Sequence, residues 1–210
     1  MLDVHPPHQP IHGWRDFLLH IATITIGLLI ALGLEAGVEG IHHRHIVAEA
    51  RENIRREIED SRKRIANDRH SIATDEAQMQ ANLVALRALR DNPNAKVKIT
   101  FAVSWDGPTS SAWITARDTG ALALMDSGTV QRYAEVYDQQ AIVNAAGTTL
   151  FQIQTKALLP LIIEDSYKNA QPSEIDEALH HCAEVILQLH LLSDLIKGLD
   201  ESYDQVLRHN

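Results

Sequence analysis

Residues 14–40 read WRDFLLHIATITIGLLIALGLEAGVEG, and this stretch decides the architecture. From Ile21 to Leu34 it carries no charge, and from Phe17 to Val38 only His20 and Glu35 interrupt the apolar run. A helix needs about 20 mostly apolar residues to cross the hydrocarbon of a bilayer. The run meets that length if His20 and Glu35 lie near the two boundaries. A water-facing helix would show a polar stripe every three or four residues, and none is present. A secretory signal peptide would need basic residues ahead of the run and a small-residue cleavage site behind it. Only Arg15 precedes it, and the run continues through Glu35 and Glu39 into a helical segment. The expectation is one transmembrane helix over residues 14–40, after a short polar tail at 1–13, with the lipid bilayer as first partner.

Outward from the anchor, the chain reads as all-α. From Ile41 to Asp91 there is no Pro or Gly, so the helix continues as a stalk over 41–91. At about 1.5 Å per residue, some fifty residues extend roughly 75 Å. Ile58, Ile65, Ile72, Met79 and Leu86 recur every seven residues, beside a second row that is polar at Ser61, Asp68 and Asp75. One apolar stripe fits a helix lying on a partner along a single seam. Asn92-Pro93-Asn94 ends it, and residues 92–111 read as an extended connector with a turn at Asp106-Gly107-Pro108. Lys96 to Val103 alternates as a strand does, with no second strand to pair it. A helical bundle over 112–210, packing on the stalk, is expected to follow. Its helices are placed at about 112–125 (capped by Ser110 or Ser111, stopped at Ser127-Gly128), 129–169 and 173–208 (capped by Ser173).

The last helix carries two filled heptad rows. Ile175, Cys182, Leu189, Ile196 and Tyr203 form one, and Ala178, Val185, Leu192, Leu199 and Val206 the other. That is a coiled-coil-type seam whose partner is the stalk, the preceding helix or the same helix of another copy. Gly33 and Gly37 flank Glu35 in the anchor, a small-residue pair that permits close helix approach and marks a candidate packing interface.

Composition narrows the function classes. A formal charge of −9 and the absence of a Lys/Arg-rich face argue against a nucleic-acid partner. One cysteine, Cys182, excludes an internal disulfide and any cysteine-based zinc site. Twelve histidines tempt a metal reading, with His42, His43 and His45 after the anchor and His5, His8 and His12 before it. A spanning anchor would keep the two clusters on opposite faces, and no further ligands complete either, so interfacial polar residues are expected rather than a metal site. No phosphate loop, dinucleotide fingerprint or nucleophile elbow is present. Catalytic residues and cofactors are therefore none. Arg44, Arg51, Arg55 and Arg56 behind the anchor, against Arg15 ahead of it, place the C-terminal domain in the cytoplasm by the positive-inside rule.

Three pieces carry a resemblance: the apolar Gly27–Glu35 segment GLLIALGLE, the charged helix after His42, and Trp113–Met125 with Thr119-Gly120. With the opening MLDVHPPHQPIHGWRDF, the layout resembles a group of uncharacterised bacterial single-pass membrane proteins. The resemblance implies an inner-membrane architecture and no chemistry. The function expected from all of this is a membrane-anchored helical interaction protein, either a homo-oligomer or an accessory subunit beside other membrane proteins. The alternative is a ligand-sensing bundle using the polar middle of the 129–169 helix (Gln139, Gln140, Asn144, Gly147, Thr148, Gln152, Gln154).

Overall fold

The structure, a computed structural model, describes residues 13–100, 104–164 and 170–208, and of residues 158–164 the backbone alone. The chain is all-helical: four α-helices and one 3₁₀ turn, with no strand among the described residues. Helix α1 spans Trp14–Asp91, α2 Ser111–Asp118, α3 Ser127–Glu164 and α4 Pro172–Arg208, with the 3₁₀ turn at Ala121–Leu124. The anchor and the expected stalk are thus one helix of 78 residues. The chain divides into two compact units, residues 1–48 and 49–210.

In the first unit, every described residue from Gly13 to Glu39 is exposed, the apolar ones included. An 18-residue window of this stretch has a mean hydropathy of 2.3 and no part of it is buried, so the segment is long and apolar enough to span a membrane.

In the second unit, α1, α3 and α4 pack side by side. Along α1 two buried rows alternate: Ile58, Ile65, Ile72, Met79 and Leu86 form one, and Ile54, Ser61, Asp68, Asp75, Asn82 and Leu89 the other. Helix α4 runs antiparallel to α1. Arg62, Glu76 and Arg90, fourteen residues apart, meet Asp204, His190 and Asp176, also fourteen apart. The spacing is two heptads on both helices, so one face of each is presented throughout. Helix α3 lies antiparallel to α4, with Gln139 bonded to Ser202 and Ala146 to Gln188.

Three helix ends differ from the sequence reading. The helix begun at Ser111 stops at Asp118, because Gly120 takes the left-handed conformation (φ 77°) that a helix C-terminus favours. Ser127-Gly128 therefore opens α3 instead of ending its predecessor. Asp126 caps it, its Oδ1 accepting the Thr129 N–H at 2.8 Å. Ser110 stands at the start of α2, but its side chain makes no cap bond. Glu57 of α1 takes that role, both carboxylate oxygens accepting the Ala112 N–H. Helix α4 begins one residue before the expected cap Ser173, at Pro172, and the Glu174 carboxylate reaches back to the Gln171 N–H at 2.6 Å. The 165–169 end of the expected third helix and the 1–12 tail lie outside the described residues.

Candidate functional site

The apolar surface of residues 14–41 is the first candidate. Fourteen large apolar side chains between Trp14 and Ile41 are exposed, against seven in the rest of the described chain. Soluble monomers rarely leave contiguous apolar patches beyond a few hundred Å² in water. Gly33 and Gly37 share one face of this surface, and a Cβ added at either would meet nothing within 4 Å, so that face is open. Glu35 shares a face with Leu34, Val38, Glu39 and His42. His43 approaches Glu39 at 3.6 Å. No group of three or more His, Cys, Asp or Glu is arranged to hold a metal among the described residues. His5, His8 and His12 lie outside them.

The heptad seam of α4 is buried within the chain. All ten members, from Ile175 through Ala178, Cys182, Val185, Leu189, Leu192, Ile196, Leu199 and Tyr203 to Val206, are at most 5% exposed. The rows face α1 and α3 of the same chain, so they offer no free surface to a second copy. Burial pushes the Cys182 thiol up to about 11, and it stays protonated and inert.

The polar middle of α3 is largely committed to internal contacts. Gln140 donates to the Tyr203 hydroxyl at 2.8 Å, and Ser202 donates to Gln139 at 2.7 Å. Asn144 donates to the Pro108 carbonyl at 3.0 Å, and Thr148 bonds back to Asn144 of its own helix. Gly147 has a packing reason. A Cβ there would fall inside the Trp105 indole, 2.8 Å from Cδ1 and closer still to Nε1 and Cε2. Gly107, at φ 68°, sits beneath the same ring, and its left-handed backbone suits glycine.

Beside this lies a buried polar node. Tyr137 donates to Glu57 Oε1 at 3.0 Å, and Tyr203 is hydrogen-bonded with both Gln140 and Ser61. Burial, reinforced by the Glu57 carboxylate, drives the Tyr137 hydroxyl far above its ordinary range, and burial does the same to Tyr203. Both phenols stay protonated, Tyr137 donating to Glu57 and Tyr203 accepting from Gln140. Trp113 stacks on Tyr137 with centroids 5.1 Å apart and meets Tyr133 edge-on at 6.5 Å. Gln140 Oε1 is buried without a hydrogen-bond partner. The node fastens α1, α2, α3 and α4 together and contains no activated nucleophile.

Sequence reasoning missed the arrangement that holds the connector. The polar row of α1 is a ladder of acceptors for its backbone. Ser61 Oγ accepts the Thr109 N–H at 3.2 Å, and the Asp68 oxygens accept those of Asp106 and Gly107, each at 3.0 Å. Asp75 accepts the Ser104 N–H at 3.1 Å. Asn82 pairs Thr100 both ways, accepting its N–H at 3.0 Å and donating to its carbonyl at 2.6 Å. One row of α1 thus serves Thr100 and the 104–109 part of the connector. Comparison with protein-family models, with curated proteins and with solved structures returned no match.

Proposed function

We propose that residues 14–40 cross a bilayer once and that residues 49–210 form a helical bundle held at its surface as a non-catalytic interaction domain. The exposure of the apolar segment carries this reading. Fourteen apolar side chains at roughly 100 Å² each, and about 25 cal/mol per Å², leave on the order of 30 kcal/mol of unfavourable exposure in water. Lipid removes that cost without any rearrangement. The run from Phe17 to Val38 spans about 33 Å, close to the thickness of the hydrocarbon core.

Of the two forms of interaction, service as an accessory subunit is better supported than self-association through α4, because the α4 rows are already occupied. Self-association of the anchor stays available, through the face that carries Gly33 and Gly37, with Glu35 on the other side of the helix. The ligand-sensing alternative has less support, since Gln139, Gln140 and Asn144 are bonded internally. The resemblance to bacterial single-pass proteins and the arginines behind the anchor favour an inner-membrane protein with a cytoplasmic domain.

The test is purification of the tagged full chain from its membrane in mild detergent, followed by mass spectrometry. A stoichiometric second protein is expected. Recovery of the chain alone as a defined homo-oligomer would overturn the subunit reading, and recovery in the soluble fraction would overturn the anchor. Fusions of alkaline phosphatase and of a fluorescent protein to the C-terminus report orientation, with fluorescence and no phosphatase activity expected.

A further inference from the structure

Lys96, Val97, Lys98 and Ile99 lie between two points fixed on α1. The Ala95 N–H donates to the Asn92 carbonyl at 2.9 Å, and Asn82 pairs with Thr100 both ways. From residue 82 to residue 92 the chain, helical to Asp91, rises about 15 Å. The five steps from Ala95 to Thr100 reach at most about 16–18 Å, so the segment is close to fully extended. Its side chains alternate as those of a strand do: Val97 and Ile99 are half-buried, Lys96 and Lys98 exposed. No hydrogen bond engages the backbone of residues 96–99 among the described residues. A strand turns successive N–H and C=O pairs to opposite edges, and Thr100 gives its pair to Asn82. Val97 and Ile99 therefore turn theirs away from Asn82.

We propose that residues 96–99 are a preformed strand edge that accepts one extended segment of a partner protein, a segment carrying carboxylates at alternate residues. The inference rests on the interaction-domain reading and names the chemistry of the partner. Strand addition takes its affinity from main-chain hydrogen bonds and its specificity from alternate side chains. Val97 and Ile99 supply the first here, and Lys96 and Lys98 the second. Lys63 and Lys197 each hold a carboxylate within 3.0 Å, whereas Lys96 and Lys98 have none among the described residues. Two unpaired ammonium groups on one face, in a chain of net charge −9, select an acidic strand. The same charges reject a second copy, since pairing the edge with itself would set lysine against lysine across the strands. Because the segment is already tethered at both ends, a partner strand meets little further cost in ordering it.

Short synthetic peptides test the edge on the full chain in detergent, read by amide NMR. One alternates glutamate with valine, and the other alternates lysine with valine. The glutamate peptide is expected to shift the Val97 and Ile99 amides, slow their hydrogen exchange, and bind about tenfold more tightly than the lysine peptide. Lys96→Glu with Lys98→Glu should invert that preference, and both positions are exposed, so the variant keeps the fold. A glutamate peptide N-methylated along its bonding edge keeps the charge and loses the donors, and should bind about tenfold more weakly. Equal binding of the methylated peptide would overturn strand addition and leave a charged patch only. Equal binding of the glutamate and lysine peptides, or shifts confined to other residues, would overturn it as well. So would Val97 and Ile99 amides that shift with protein concentration alone, the mark of self-pairing. These measurements need no partner from the cell, so their failure is distinct from that of the interaction-domain reading, which co-purification decides.

Discussion

Gly147 is the sharpest place to test the packing, because two effects of known sign oppose each other there. Gly→Ala in a helix interior ordinarily stabilises by about 1 kcal/mol through backbone entropy and propensity. At Gly147 the added methyl would occupy the volume of the Trp105 indole. Trp105 must then leave its seat, pulling on Gly107, whose N–H is bonded to Asp68. Overpacking of this kind costs about 1–3 kcal/mol. The ring is half-buried and the loop beneath it is tethered, so Gly147→Ala should destabilise by a net of about 1 kcal/mol. Gly198 of α4 is the internal control, since a Cβ there meets nothing within 4 Å. Gly198→Ala should stabilise by about 0.5–1 kcal/mol. Urea unfolding of the full chain in detergent, followed by far-ultraviolet circular dichroism, measures both. Tryptophan emission should shift to the red in Gly147→Ala alone as Trp105 moves into water. Trimming the ring with Trp105→Leu should recover most of the loss in the double variant. If Gly147→Ala proves as stabilising as Gly198→Ala, the close approach of Trp105 to α3 is refuted.

Other outcomes follow from the same contacts. Leu29→Arg with Ile30→Arg places two charges in the middle of the apolar run, at about 2.5–3.5 kcal/mol each. The chain should then move from the carbonate-resistant membrane pellet to the soluble or aggregated fraction. Tyr137→Phe removes a hydrogen bond to the Glu57 carboxylate and should cost about 1.5–3 kcal/mol in urea unfolding, because that carboxylate is left with the Ala112 amide alone. Arg62→Ala breaks contacts with both Asp200 and Asp204, yet these side chains are about a third exposed. Its cost should stay below about 1 kcal/mol and shrink further in high salt. A larger loss would mean that the α1–α4 pairing depends on this ion pair rather than on the apolar rows.

Legibility in the sequence tracked how each element is held. The 14–40 run and the two rows of α4 were readable because apolar length and heptad burial are properties of side chains, and side chains are what a sequence displays. Asn92-Pro93-Asn94 ended α1 as read, with the Ala95 N–H bonding back to Asn92. The stop expected at Ser127-Gly128 falls instead at Thr119-Gly120, and the two signals look alike because both are a small hydroxyl residue followed by glycine. The distinguishing sign was Asp126, set three residues before Thr129 as a helix cap requires. The polar row Ser61, Asp68 and Asp75 was visible at its seven-residue spacing, but its partner is the connector backbone, which leaves no mark on residue identity. Gly147 gave a clearer signal than it was credited with: a lone glycine inside a long helix marks close approach more often than polarity.

The row also explains why the second unit manages with three long helices. A fourth helix would satisfy its own backbone and need only an apolar stripe on α1, and Leu or Ile at 61, 68, 75 and 82 would then serve. An extended chain in that position brings unpaired N–H groups to the interface, each costing about 1–3 kcal/mol if buried without an acceptor. Polar side chains at those four positions are thus a requirement of the connector rather than a defect in the heptad pattern. Asp68→Leu, which enlarges the apolar stripe, should therefore destabilise the domain by more than Asp68→Asn. Leucine strands the Asp106 and Gly107 amides together, whereas asparagine keeps an acceptor for one and relieves the buried charge. An apolar stripe that improves stability when extended to residue 68 would show that the connector does not depend on α1 for its hydrogen bonds.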